Sequence, residues 1–208
     1  MERKKIYLIR HGQTDYNKRG VVQGSGIDAP LNELGKQQAQ AFYEKYQSIP
    51  FDRVYTSALI RSMQSVQRFI DAGIPHVSFA GLNEINWGIY EGKIVSNENS
   101  KYYERVTEAW MRGESDLRIE GGESPLMVQE RQKPVLEHIV TQQDEKKVLI
   151  CMHGRAMRIF LCLLLGIDLK EMDSFKHDNL GLYQLDYQQS NFSIEVANDV
   201  SHLAHLVT

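Results

Sequence analysis

KVLICMH, residues 147–153, sets five apolar residues in a row between a lysine pair and a histidine. A run this short, built from Val, Leu and Ile and closed by Gly154, predicts a strand buried on both faces. Directly after it comes a nearly all-apolar stretch through Leu165, which reads as a buried helix. A strand covered on both sides needs helices above and below it, so the remaining chain is expected to supply two helical layers.

Working outward, KIYLIR at 5–10 repeats the apolar pattern near the start and stops at Arg10-His11-Gly12. Residues 12–31, with Gly20, Gly24, Gly26 and Pro30, read as a long loop. Leu34, Ala41, Phe42, Tyr43 and Tyr46 then follow helical spacing behind Asn32 as N-cap. RVYTS at 53–57 is a second strand, and Ser57 is expected to cap a helix carrying Arg61, Met63, Val66 and Ile70. HVSFA at 76–80 is a third strand, followed by a loop over 81–92.

Residues 93–120 are polar and are read as a lid-like excursion over the sheet, with one helix around Tyr102–Met111. A helix from about Ser124 to Gln142 contains Pro134, which should kink it or break it in two. Asp168 to Glu171 has the form of a capping box. LGLYQLDY and FSIEVAND form a hairpin around 188–191, and the tail 201–208 is expected to be loose. The fold class is therefore α/β: one domain, 1–208, of three layers (α/β/α) around a mostly parallel, mixed sheet.

Composition limits the functional classes. The 208 residues carry a net charge of −3, with 42% hydrophobic and 25% charged residues. Neither nucleic acid nor a membrane surface is an expected partner. MERKKIYLIR lacks the apolar core of a signal peptide, and IFLCLLLGI at 159–167 is too short to cross a bilayer, so a cytoplasmic protein is expected. Cys151 and Cys162 lie among apolar residues and read as buried, reduced thiols. The spacing of His76, His138, His177, His202 and His205 suggests no metal site, and these five are assigned no chemistry.

In parallel sheets, sites form at the carboxyl ends of strands. Those ends carry Arg10-His11-Gly12, Ser57 ahead of Arg61, Glu84 beyond the third strand, and His153-Gly154. If the four strands are adjacent, two arginines, two histidines and a carboxyl group share one pocket. Grouped cations resist desolvation, and an anion such as a phosphate monoester removes that difficulty. Helix N-termini after the second and fourth strands would add N–H donors. His11 would attack phosphorus through one neutral nitrogen while the other donates to a backbone carbonyl. Gly12 would make room beside the substrate. Glu84 would protonate the leaving oxygen and later take a proton from water, with Glu91 in the same loop as the other candidate. The arginines supply the charge stabilisation, so no metal is required.

With LIRHGQT (8–14), SALIRSMQS (57–65), LNEINWGIYEG (82–92), GGES (121–124) and MHG (152–154) in this order, the chain resembles the histidine phosphatase superfamily, also called the phosphoglycerate mutase-like family. Asn17, Gln23-Gly24, Asp28, Pro30-Leu31 and Gly35 extend the match. The resemblance implies that His11 is the residue phosphorylated in turnover and that Arg10, Arg61 and His153 bind the phosphoryl group. It also implies Glu84 as proton donor, Asn17, Gln23 and Gly24 as substrate-binding positions, and the Gly154 N–H close to a phosphate oxygen. Arg155 departs from the pattern, standing where many relatives have a small or polar residue, so it either touches substrate or blocks part of the pocket. Glu123 and Ser124 of GGES read as a helix start, and Trp87 and Trp110 as packing residues.

A phosphohistidine can pass its phosphoryl group to water or to a second alcohol. The family's mutases carry a longer, arginine-rich insertion after the EG loop. Here 93–120 holds only Lys93, Lys101, Arg105, Arg112 and Arg118. The expectation is a metal-independent phosphatase of a small-molecule phosphate ester without a cofactor. The alternatives are a mutase, with 2,3-bisphosphoglycerate as cofactor, and a non-catalytic phosphate-binding module.

Overall fold

The KVLICM run becomes β4 (Lys147–Met152), an interior strand of a six-stranded sheet. The computed structural model describes residues 3–95 and 100–206. β4 pairs in parallel with β1 (Arg3–Arg10) on one side and β2 (Arg53–Thr56) on the other. β3 (His76–Ser78) continues beyond β2, also parallel. β5 (Leu182–Gln188) and β6 (Asn191–Asp199) extend the sheet past β1 as antiparallel strands. The order is β3-β2-β4-β1-β5-β6, so the four strands whose ends carry the candidate site are neighbours.

Alternation along these strands feeds two cores. Ile6, Leu8, Val148, Ile150 and Met152 pack with α5 (Pro125–Thr141) and α6 (Gly154–Leu165). Tyr7, Ile9, Leu149 and Cys151 pack with α2 (Glu33–Tyr46) and α3 (Ile60–Asp71) on the opposite face. Each fully buried Ile or Leu contributes roughly 1.5–3 kcal/mol, which is why the buried stretches of the two innermost strands, residues 6–9 and 148–152, are apolar. Burial pushes both free thiols up, Cys162 to about 12, and leaves them as small core side chains. No helix among the described residues is long and apolar enough to cross a membrane.

Several local expectations need correction. Within 12–31 a short α1 (Asp15–Lys18) forms, because Thr14 caps it and Asn17 returns the bond to the Thr14 N–H. α5 is one unbroken helix. Pro134 and Glu130, whose carbonyl loses its partner, are both exposed, while Val128, Gln132, Val135 and Ile139 hold the inner face. Asp168 accepts from the Lys170 N–H, and Leu169–Ser174 is a 3-10 turn. The tail is anchored over 201–206: Leu203 is buried, and the His202 ring meets Phe42 and Tyr46 edge-on. In the excursion, α4 (Ser100–Met111) starts two residues early and buries Val106 and Trp110, while residues 96–99 lie outside the described residues.

Candidate active site

At the end of β1, His11 is almost fully buried, and its Nδ1 lies 2.7 Å from the Gly12 carbonyl. A carbonyl only accepts, so Nδ1 carries the proton and Nε2 keeps its lone pair. Asn179 Nδ2 donates to the His11 carbonyl at 2.8 Å, and the Gly12 N–H donates to Ser65 Oγ at 2.9 Å. The glycine makes room, but for the protein itself: a Cβ on Gly12 would stand 2.7 Å from the Gly35 carbonyl in the first turn of α2.

His153, at the end of β4, has the opposite tautomer. Arg61 Nε donates to its Nδ1 at 3.2 Å, so the proton sits on Nε2 and is directed at Ser57 Oγ, 2.7 Å away. The His11 and His153 rings are 5.1 Å apart. Arg61 is fully buried, among the described residues it has no carboxylate partner, and burial brings its guanidinium down to about 10. Its Nη1 and Nη2 donate to the Ile27 and Gly24 carbonyls at 2.6 and 3.1 Å. Ser57 does not cap α3, since it is occupied by His153, Ser62 and the Leu59 N–H. The N-terminus of α3 is instead taken by Asp28, which accepts from the Ile60 N–H at 2.7 Å.

Glu84 reaches the start of α6 from the loop after β3. Its carboxylate accepts from the Ala156, Ile85 and Arg155 N–H groups at 2.8, 2.9 and 3.1 Å. Arg131 fixes this loop by donating to the Gly81 and Glu84 carbonyls and pairing with Glu123. Glu123 thus braces the Glu84 loop and does not serve as a first-turn carboxylate of α5, while Ser124 caps that helix as expected. Glu91 accepts from the Gly24, Gly26 and Trp87 N–H groups and organises two loops. A Cβ on Gly24 would fall 2.4 Å from the Ile85 backbone carbonyl as well as against that carboxylate, which requires glycine there.

A cavity of about 210 Å³ opens at these strand ends. Arg10, Asn17, Gln23, Glu84, Gly154 and Arg155 line it, with His177, Trp87 and Tyr103 completing the wall. Gly24 is not among its lining residues, and neither are His11, Arg61 and His153, which lie buried at the same strand and helix ends. Arg10 Nη1 donates to the His177 carbonyl at 2.8 Å, and Gln23 Oε1 accepts from Thr14 at 2.7 Å. Among the described residues, the buried Arg10 Nε and Gln23 Nε2 have no partner. Arg155 is a fixed wall: it pairs with Asp173 at 2.6 Å and lies over the Trp87 and Trp110 rings. Among the described residues, no three His, Cys, Asp or Glu side chains are grouped to hold a metal ion.

The sequence reading missed His177, Asn179, Arg131 and Asp173. The available signal was topological. Leu182 of β5 lies opposite Ile9, so an antiparallel β5 starts beside the carboxyl end of β1 and delivers residues 177–180 to His11.

Burial, together with Arg61 and Arg10, holds His11 well below 6.5, and burial with Arg61, His11 and Arg10 nearby lowers His153 in the same way. A depressed folded-state value means that below about pH 6.5 the unfolded chain takes up protons that the folded chain refuses. Stability is therefore full above that pH and lost as pH falls, by roughly 1.4 kcal/mol per pH unit for each histidine. Urea midpoints should drop steeply between pH 6 and 5; a flat profile there contradicts this assignment.

The family model of the histidine phosphatase superfamily, branch 1, matches residues 6–200. "Probable phosphoglycerate mutase GpmB" of Proteus mirabilis is 28% identical over 211 residues, covering 97% of this chain and 95% of that protein. The crystal structure of the alpha-ribazole phosphatase from Shigella flexneri has a TM-score of 0.82 at 24% identity, covering 94% of this chain and 96% of that one. Phosphoserine phosphatase from Entamoeba histolytica, in complex with 3-phosphoglyceric acid, has a TM-score of 0.83 at 24% identity, covering 96% and 99%. These two likenesses establish the fold.

Proposed function

The chain belongs to the histidine phosphatase superfamily, branch 1, and on that premise we propose that it hydrolyses small phosphomonoesters through a phosphohistidine on His11. The observation that carries this reading is the pair of unpartnered donors, Arg10 Nε and Gln23 Nε2, in the wall of one cavity. A buried donor left without a partner costs about 1–3 kcal/mol, and an anion at this spot removes the cost for both.

Arg10 and Gln23 hold the phosphoryl oxygens, with Asn17 and the Gly154 N–H beside them. Neutral His11 attacks phosphorus through Nε2, forming the N–P bond as the ester P–O bond breaks. Arg61 and His153 stabilise the charge that builds on the transferring group. Glu84 gives its proton to the departing alkoxide. Water then attacks phosphorus, Glu84 takes a proton back, and the N–P bond breaks to release inorganic phosphate. Each carboxyl oxygen has two acceptor sites, so the backbone bonds to Glu84 leave one for the proton. With guanidinium groups carrying the charge, turnover is expected to survive EDTA.

Water is favoured as acceptor because, among the described residues, the excursion contributes only Tyr103 to the cavity wall. Arg105 lies over the Tyr102 ring and Arg112 pairs with Glu114. Lys93, Lys101 and Arg118 are also outside the cavity lining. The second reading is a phosphoglycerate mutase using 2,3-bisphosphoglycerate, which the name of the Proteus mirabilis relative favours. A non-catalytic phosphate-binding module is the third. Phosphorus NMR in EDTA decides between them, with 3-phosphoglycerate, a trace of 2,3-bisphosphoglycerate and a panel of other esters. Inorganic phosphate as sole product supports the phosphatase; prompt 2-phosphoglycerate without net phosphate identifies a mutase. No turnover and no phosphohistidine on any ester identifies a binding module.

The acid role of Glu84 has its own test. Glu84→Gln is expected to slow hydrolysis of an alkyl phosphate by about 10²–10⁴-fold. p-Nitrophenyl phosphate, whose leaving group needs no proton, should be affected far less. Equal losses on both substrates would assign Glu84 to binding or positioning only.

A further inference from the structure

We propose that His177 is a direct phosphate ligand whose Nε2–H converges with Arg10 Nε beside Gly154, an inference that rests on reading this cavity as a phosphate site. The tautomer follows from the partner. His177 Nδ1 lies 3.3 Å from Arg10 Nη1, and a guanidinium only donates, so Nδ1 accepts and the ring proton is on Nε2. The placement follows from Gly154. The point where a Cβ would stand on that residue is 3.5 Å from Arg10 Nε and 3.5 Å from His177 Nε2. Both nitrogens, and His177 Cδ2 with them, therefore lie 3.5 Å from one point at the first residue of α6, and both residues line the cavity.

Burial, with Arg10, Arg158 and Arg155 nearby, pushes His177 down to about 4, so the ring is neutral at neutral pH. A neutral N–H is a suitable third donor here. It adds a hydrogen bond for an anion without setting another desolvated cation against Arg10. The backbone also separates two roles of this residue, because Arg10 is held chiefly by the His177 carbonyl, which any side-chain substitution leaves in place.

Asparagine reproduces the Nδ1 position of histidine and glutamine the Nε2 position, so the two variants separate acceptor from donor. The measurement is the dissociation constant of inorganic phosphate by calorimetry at neutral pH, with the melting temperature recorded without phosphate. His177→Asn and His177→Ala are expected to weaken binding about 10–100-fold, the range for a hydrogen bond to a charged group. His177→Gln should recover most of that loss. If His177→Asn binds like wild type, or if His177→Gln is as weak as His177→Asn, the proposal fails. It also fails if wild type does not bind phosphate. Wild type that binds phosphate but hydrolyses no ester in the panel refutes the proposed function and leaves this inference standing. Ester hydrolysis together with normal phosphate binding by His177→Asn refutes this inference alone.

Discussion

Replacing His11 by alanine is expected to lower kcat/KM by roughly 10⁵–10⁶-fold, the scale seen when a hydrolase loses a member of its nucleophilic machinery. The argument lies in the tautomer. The Gly12 carbonyl holds the proton on Nδ1, and burial with two nearby guanidinium groups keeps the ring uncharged. Nε2 is therefore a lone pair at neutral pH and needs no separate base. Wild type mixed briefly with a substrate and quenched in alkali should carry an acid-labile phosphoryl group on His11, and the alanine variant should carry none. Retention of wild-type activity by that variant would end the proposal.

The second large effect is expected at Arg61. Arg61→Lys should lose about 10²–10³-fold in kcat/KM, nearly as much as Arg61→Ala, although it keeps the charge. Lysine is a point donor, whereas Arg61 uses three directions of a planar fork. One fixes the His153 tautomer through Nδ1, and the others hold the Gly24 and Ile27 carbonyls. Without the fork, His153 loses its constraint and the segment that carries Gln23 loses its tether. Limited proteolysis within 23–28 should accelerate in the lysine variant. A lysine variant within a few-fold of wild type would show that charge alone suffices.

Much of the fold was legible because both inner strands carry an unbroken apolar run, residues 6–9 and 148–152, a pattern that requires helices on two faces. Arg10, His11, Arg61 and His153 were legible because each lies at the end of a strand or the start of a helix, and Glu84 because it lies in the loop after the third strand. The illegible part depends on side-chain partners. Ser57 is an acceptable helix cap by sequence, and only the position of His153 shows why it is not one. Pro134 breaks helices in general, but here the carbonyl it orphans faces water. Gly12 looked like room for a ligand and is room for Gly35. His177 belongs to a loop without any motif and reaches Arg10 only because β5 runs antiparallel to β1.

The placement of β1 between β4 and β5 has a consequence for the protein's synthesis. β1, made before the other strands of this sheet, has no sheet neighbour until Lys147 follows it, and its second neighbour starts at Leu182. At 5–20 residues per second, Ile6 to Ile9 wait roughly 7–28 s before either partner exists. Throughout that interval the nascent chain offers an unpaired apolar strand, the species that chaperones hold and that aggregates recruit. Every stalled or truncated product ending before β4 shares this exposure, and none of them contains His153.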